Sequence, residues 1–493
     1  MIKIEKIKNV FEKKYNEFNK KEFFSSVFFL SVIYAVAIIS IIRANFSYND
    51  DMRRSIEGID MCGAFSRHVS DHLSFLLHTA NRLTDISPLP QLIACVFLAI
   101  TGYILVKIIC GKSSKLALIA TLPIGLSPYF LECFSYKFDA PYMAFSILVS
   151  VFPFLFVNKR WGFLTASIVS VLMMFMTYQA ASGIFLMITI YLFFTNLNYK
   201  KITTKNNFIF LGISLFSYIT AFFLFRLLFM ESVDFPGYVQ TDIPAFKDLI
   251  SFIHKNLFSY VNNINSDFNL KHKILFFMIV IIFYIKSVIF SKTNKVLTVF
   301  LTLFFLILLF FASFGLYYAL KDMWFGPRTM YGFGIFIAIL SVDICYSLKK
   351  IFSFPAMALI WCFFVFSFAY GNALADQKRY NDFRTELLIS DLSSSLPPEP
   401  NKEYAIKIIN SIGLSPVAKN TGVNDPIIGK LVPINLQGGW SFGYYYICNY
   451  YNVNLNDYIF NSDIVDIETM PVVFDSFYHT IKYSDNQIVV ILK

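Results

Sequence analysis

Charge is what this chain of 493 residues has least of: Asp, Glu, Lys and Arg together make up 15%, against about one quarter in an ordinary globular domain. That scarcity excludes a cytosolic enzyme, a disordered binder and a secreted disulfide scaffold. There is no GxGxxG or Walker-type glycine loop, which removes the usual cradle for a nucleotide. The seven cysteines, Cys62, Cys95, Cys110, Cys133, Cys345, Cys362 and Cys448, form no CxxC pair, and four of them lie inside apolar runs. Neither a metal nor a structural disulfide is expected from them, while a bridge between two of Cys62, Cys133 and Cys448 stays open. The chain also has no internal repeat, and an inverted repeat is what many secondary transporters offer.

What is abundant is apolar. The chain is 56% hydrophobic, with 58 Phe, 29 Tyr and a mean hydropathy of +0.58. The fold class this predicts is a polytopic α-helical membrane protein of about eleven transmembrane helices. They are placed near residues 23–43, 88–110, 116–132, 140–157, 162–178, 180–195, 207–230, 274–291, 296–319, 329–347 and 352–371. Residues 162–195 count as two crossings, because 34 nearly continuous apolar residues would make one helix about 51 Å long in a hydrocarbon core of about 30 Å. Tyr178, Gln179 and Ser182 then form the turn between them.

The net charge of +10 marks topology, and no nucleic-acid partner is expected. Five short segments, 111–115, 158–161, 196–206, 286–295 and 347–353, hold twelve Lys and Arg and no Asp or Glu. They read as cytoplasmic loops, which puts the amino terminus inside and, with an odd number of crossings, the carboxy-terminal part outside. Three domains follow. Residues 1–22, with seven Lys and four Glu, form a cytoplasmic amphipathic segment ahead of a retained anchor. Residues 23–375 form the membrane domain, with outer loops at 44–87 and 231–272. Residues 376–493, with thirteen acidic residues against nine Lys and Arg, form a small extracytoplasmic α+β domain. Its Phe477–Tyr483 and Gln487–Leu492 runs are expected to pair as a hairpin through Ser484-Asp485-Asn486.

Chemistry concentrates in three clusters. Asp50-Asp51-Met52-Arg53-Arg54 follows the first span, and adjacent carboxylates raise each other's pKa unless cations offset them. Arg54 stands at i+4 from Asp50 and i+3 from Asp51, which is suitable spacing. The cluster reads either as a general base at the membrane surface or as a helix cap. In Ser135–Pro141, Lys137 is placed to hold a lipid phosphate and Asp139 to orient it or a sugar hydroxyl; the alternative is a mutually satisfied pair at a helix start. In Lys321–Arg328, Pro327 suits the first turn of a helix, so that Arg328 meets an anion near its amino end, or else Trp324 and Arg328 anchor the interface.

Other features carry less. Residues 57–80 have the pattern of an interfacial helix, on which His68 and His72 share a face without a third metal ligand. Arg226 and Asp343 read as snorkelling charges. Trp440, Tyr444, Tyr445 and Tyr446 resemble core more than a sugar platform, and Cys448 and Lys482 are weak candidates.

Taken in order, Asp50-Asp51, Tyr136-Lys137-Phe138-Asp139, Tyr178-Gln179 and Gly326-Pro327-Arg328, followed by an external tail, give a pattern that resembles the type II Gtr-like serotype-converting glucosyltransferases of bacteria and their phages. The likeness covers nearly the whole membrane region; the tail from Asp376 has no matching motif. The resemblance implies a GT-C type membrane glycosyltransferase that moves glucose, or a similar hexose, from a polyprenyl-phosphate donor such as undecaprenyl phosphate-sugar. The implied acceptor is a lipid-linked O-antigen repeat of lipopolysaccharide, on the periplasmic face of a bacterial inner membrane. A small donor flippase and a donor synthase are implied partners beside the lipid bilayer, and no cofactor is implied. By the same analogy Asp50 or Asp51 activates the acceptor hydroxyl. Lys137 and Arg328 meet the donor phosphate with Arg53 and Arg54 in reserve, and Asp139, Gln179 and Tyr136 contact substrate. No metal is expected; a divalent ion at Asp50 and Asp51 is the minor alternative. Two other functions stay open. A transporter or flippase of lipid-linked saccharide would need polar groups across the midplane and on both faces. An O-antigen polymerase would centre on a large outer loop such as 231–272, with Asp234, Asp242, His254 and Asp267.

Overall fold

The computed structural model describes residues 19–60, 62–231, 243–396, 404–439, 442–449, 455–456, 467–485 and 487–493. Most of the expected amphipathic segment, Asp234, Asp242, Trp440 and the turn residue Asn486 lie outside these residues. The described chain is mainly helical: α1 (Lys20–Ala37), α2 (Ile39–Ala44), α3 (Asp51–Glu57), α4 (His68–His78), α5 (Leu89–Cys110), α6 (Lys115–Ile119), α7 (Pro123–Leu126), α8 (Pro128–Ser135), α9 (Ala140–Val151), α10 (Arg160–Phe175), α11 (Ser182–Asn198), α12 (Thr204–Leu228), α13 (Phe246–Asp267), α14 (Leu270–Ile289), α15 (Lys295–Ala312), α16 (Gly332–Ser347) and α17 (Phe354–Ser395). Their starts are set by side chains that accept backbone N–H groups: Asn19 for α1, Ser114 for α6, Thr203 for α12, Asn269 for α14 and Asn294 for α15.

Six of these helical segments are long and apolar enough to cross a membrane: Leu89–Cys110, Gln179–Asn198, Thr204–Leu228, Leu270–Ile289, Lys295–Ala312 and the apolar part of Lys350–Ser395. A seventh is reached if the pair Lys115–Leu126 and Pro128–Ser135 counts as one span. That pair bends by 63°. The cause is Pro128, which disfavours helical backbone at the residue before it, and Ser127 accordingly takes an extended ψ of 141°. Three shorter apolar helices, Ala140–Phe156, Arg160–Phe175 and Gly332–Ser347, are also present. The expected double passage at 162–195 appears as α10 and α11, separated by a short 3-10 turn at Gln179–Ala181.

The helices share one apolar core, in which α5 packs on α1 and α9, α10 on α12, and α17 on α2. Phe216, Phe277, Phe300 and Phe304 on α12, α14 and α15 point outward and are more than half exposed, as expected of a lipid-facing surface. Asp343 departs from the snorkelling expectation. It is 4% exposed, and its Oδ1 lies 2.6 Å from Lys286 Nζ, so two charges from α14 and α16 neutralise each other inside the bundle. The expected 57–80 helix is broken: α3 stops at Gly58, in the left-handed region with φ of +66°, and α4 begins only at His68. All seven cysteines are free thiols, so the bridge left open above does not form.

At 42 residues, about 63 Å, α17 is too long for a membrane crossing alone. It runs through the expected boundary at 375–376, and Leu388 and Leu392 near its end pack on Ile406, Ile481 and Val490 of a small sheet. The sheet has strands β1 (Tyr404–Ile409), β2 (Leu455–Asn456), β3 (Val472–Asp475), β4 (His479–Ser484) and β5 (Gln487–Leu492) in the order β2-β1-β5-β4-β3. The expected hairpin is β4 with β5, antiparallel, and β1 pairs parallel with β5. Three short helices follow β1: α18 (Pro416–Asn424), α19 (Ile428–Leu431) and α20 (Phe442–Cys448). They seat this part of the chain on the membrane domain. Lys430 Nζ meets Asp267 at 2.5 Å, Tyr48 and Tyr370 donate to the Leu431 carbonyl at 2.9 and 3.1 Å, and Asn435 donates to the Ser47 carbonyl at 3.1 Å.

Candidate active site

The turn between α2 and α3 is built from its own polar side chains. Asn49 takes a left-handed φ of 48°, which Asn tolerates, and reverses the chain. Asp51 opens α3 and is 0% exposed; its Oδ2 accepts the backbone N–H of Tyr48 at 3.0 Å and that of Lys137 at 3.2 Å. Asp51 thus welds the turn to the segment before α9. Asp50 points elsewhere, with 28% of its side chain exposed. The adjacent carboxylates therefore separate into a fully buried one and one that is partly exposed.

Arg54, 1% exposed, is the hub behind Asp50. Its Nη1 donates to Asp139 Oδ1 at 2.8 Å and lies 3.9 Å from Asp50 Oδ2, its Nη2 lies 3.8 Å from Asp60, and its guanidinium covers the Phe138 ring at 4.9 Å. Arg328 approaches from the other side, stacked over Tyr136 at 4.7 Å and Trp324 at 5.2 Å, and donates to the Tyr136 hydroxyl, which also accepts from Asn49 at 2.7 Å. Burial raises the Asp50 carboxyl above its ordinary range; Arg54 opposes that, Asp139 adds to it and Arg328 opposes it. Asp51 lies well above that range through burial and the neighbouring Asp50 charge.

The structure thus gathers Asp50, Arg54, Asp139, Tyr136 and Arg328 at one place. The other expected residues face elsewhere. Lys137 turns to Asp85 at 2.8 Å, Arg53 to Glu57 at 3.0 Å and the Tyr445 ring, and Gln179 to Arg67 at 3.4 Å and the Phe65 carbonyl. Arg328 sits in a one-turn 3-10 helix, Pro327–Thr329, and α16 starts only at Gly332, so its expected position on that helix's amino end is not realised. At that start two segments cross closely, and a Cβ at Gly332 would lie 1.9 Å from the Ser313 carbonyl oxygen.

Several residues here were not singled out by sequence. Glu132, 2% exposed in α8, accepts from the Arg328 backbone N–H and from Tyr48 at 3.4 Å; its signal was a lone carboxylate within the aromatic run Tyr129–Phe134. Asp85 has no local signal pointing to Lys137. Asp60, Cys62 and Asp71 bring ligand atoms within 4.8 Å of one another and are the group best able to hold a metal among the described residues, with the Arg54 charge beside them. Asp50 and Asp51, by contrast, diverge. His68 and His72 are spent on the carbonyls of Phe229 and His68 at 3.0 and 2.6 Å. In the tail, Tyr445 and Tyr446 donate to Glu57 and Asp382, and Lys482 to the Ile467 carbonyl.

Chemically, an accessible carboxylate of raised pKa beside a fixed arginine pair is suited to take a proton and to steady an anion in one step. Comparison with known proteins adds a family. The model described as Glucosyl transferase GtrII matches residues 39–339. An uncharacterized 55.3 kDa protein in the gtrB 5' region of Salmonella phage P22 is 26% identical over 133 residues, 27% of each chain, so the match spans about a quarter of that relative's length. No solved structure matches.

Proposed function

Because the chain belongs to the Glucosyl transferase GtrII family, we propose that it transfers glucose from a polyprenyl-phosphate carrier to a lipid-linked O-antigen repeat, with Asp50 as the base. The observation that carries this reading is Asp50 itself, partly exposed and framed by Arg54, Asp139 and Arg328. Asp50 takes the proton of an acceptor hydroxyl as its oxygen bonds to the anomeric carbon, and the bond from that carbon to the carrier phosphate breaks. The phosphate leaves with the electron pair and is met by the Arg328 charge, which the Tyr136 and Trp324 rings hold in place. Arg54 and Asp139 position Asp50. Lys137, Arg53 and Gln179, engaged with other groups, take no part in this assignment. The same proposal sets the reaction on the periplasmic face of a bacterial inner membrane, with a donor synthase and a small donor flippase upstream and serotype conversion as the outcome.

The test is reconstitution in proteoliposomes with undecaprenyl-phosphate glucose and a lipid-linked O-antigen repeat. Glucose incorporation is expected in the wild type and is lost in folded Asp50→Asn. Unchanged turnover in that variant removes the proposed base, and sugar-independent lipid movement without incorporation would make the protein a flippase.

A further inference from the structure

Beside the turn that carries Asp50, a cavity of about 250 Å3 opens where α2, α5 and α17 meet, bordered by Ile41, Phe46, Pro88, Gln91, Lys137 and Leu374. It adjoins the site, since the Lys137 backbone N–H is held by Asp51 at 3.2 Å.

The electrostatics of this cavity are already closed. Lys137, 6% exposed, has its ammonium 2.8 Å from Asp85, whose carboxylate also accepts the Ser87 N–H at 2.9 Å and the Ser87 hydroxyl. A phosphate entering here would find its cation taken and a carboxylate repelling it. What is unspent is neutral. Gln91 is 4% exposed and its Oε1 has no partner among the described residues, while the exposed Asn45 side chain, which also lines the cavity, makes no hydrogen bond among them. A buried carboxamide left unpaired costs about 1–3 kcal/mol. Each amide brings a donor and an acceptor, and its terminal torsion turns easily to present either. Hydroxyl groups offer the same pair in return. Ile41, Phe46, Pro88 and Leu374 supply apolar walls for the C–H face of a ring, the usual composition of a pocket in which a few polar groups fix orientation.

We propose that this cavity is a subsite for a neutral saccharide ring, gripped through its hydroxyls by Gln91 and Asn45. That this sugar belongs to the transfer acceptor rests on the glycosyltransferase reading above. The site then orders the acceptor at the start of the residue 45–51 turn while Asp50 works near its end.

The experiment is saturation-transfer NMR on the full chain in phosphatidylethanolamine nanodiscs, with methyl α-D-glucopyranoside, methyl α-D-mannopyranoside and methyl α-L-rhamnopyranoside as probes. At least one glycoside is expected to bind the wild type, and Gln91→Leu to weaken it about tenfold. Leu374→Trp fills the cavity from another lining residue and is expected to abolish the signal; monodisperse elution and unchanged thermal unfolding of both variants show that the loss is not a folding defect. Absence of signal for every glycoside, or equal signal in the wild type and both variants, overturns the proposal. So does displacement by phosphatidylglycerol added to the nanodiscs, which would assign the cavity to a lipid's glycerol headgroup. A signal that depends on Gln91 in a protein that transfers no glucose upholds the saccharide site and defeats only the transferase reading.

Discussion

Replacing Arg54 by Met keeps most of the side-chain volume and deletes the charge on which the Asp50 proposal depends. At 3.9 Å from Asp50, with an effective dielectric of about 20, the lost attraction is at most about 4 kcal/mol. Asp50 is 28% exposed, so solvent screening reduces this further, and what remains lifts the Asp50 carboxyl when Arg54 is removed. The direction is fixed: the base is active only when ionised, so transfer falls as pH drops through the Asp50 pKa, and removing Arg54 moves that acid limb upward. In the wild type the limb already lies above the ordinary carboxylate range, because burial raises Asp50. The assay is the initial rate of glucose transfer in proteoliposomes across pH. Arg54→Met also strands Asp139, which loses its 2.8 Å partner, at a cost of about 3–5 kcal/mol. Arg54→Met combined with Asp139→Leu is therefore expected to regain most of the thermal stability. An acid limb that stays in place in a folded Arg54→Met variant would refute the coupling and, with it, Asp50 as the titrating base.

Asp51→Asn is expected to retain transfer within a few fold, since its role is to accept two backbone N–H groups, whereas Asp50→Asn abolishes it; parallel rate measurements separate the two. The folded protein holds the Asp51 proton more tightly than the unfolded chain does, so this group's stability contribution is whole below about pH 4 and is lost as pH rises through the folded value. Thermal unfolding followed against pH should accordingly flatten in Asp51→Asn. Lys286→Met leaves Asp343 buried without its 2.6 Å partner and should cost about 3–5 kcal/mol, most of it recovered by adding Asp343→Leu; equal stability of the two variants would contradict this. Gly332→Ala drives a methyl into the Ser313 carbonyl and is expected to lower the yield of monodisperse protein sharply, as size-exclusion chromatography will read.

What could be read from the sequence was whatever is local. The β4–β5 hairpin follows from alternation, and the α10–α11 pair from the length of one apolar run set against bilayer thickness. The Asp50 to Arg54 spacing placed two charges on one helix face. It could not reveal that Arg54's closest partner is Asp139, 85 residues away, because no local pattern encodes a contact between separate loops. Lys137 and Asp139 looked like a pair for the same reason, and extended backbone at Tyr136 instead leads into a segment that sends one to Asp85 and the other to Arg54. Glu132 was hidden by its aromatic neighbours. Asp343 looked isolated because its counterion comes from a different helix. The first apolar run also shows a limit of hydropathy: α1 and α2 break at Ile38, whose ψ of 4° no composition foretells.

The uninterrupted α17 makes the small sheet and the bilayer parts of one lever. One residue inserted between Ala375 and Leu388 would advance everything beyond it by about 1.5 Å and turn it by about 100°. Leu388 and Leu392 would then face away from the strands they now support, and Tyr445 would swing clear of Glu57. The phase of a single rod, set inside the lipid, thereby governs how the tail is presented to the turn that bears Asp50.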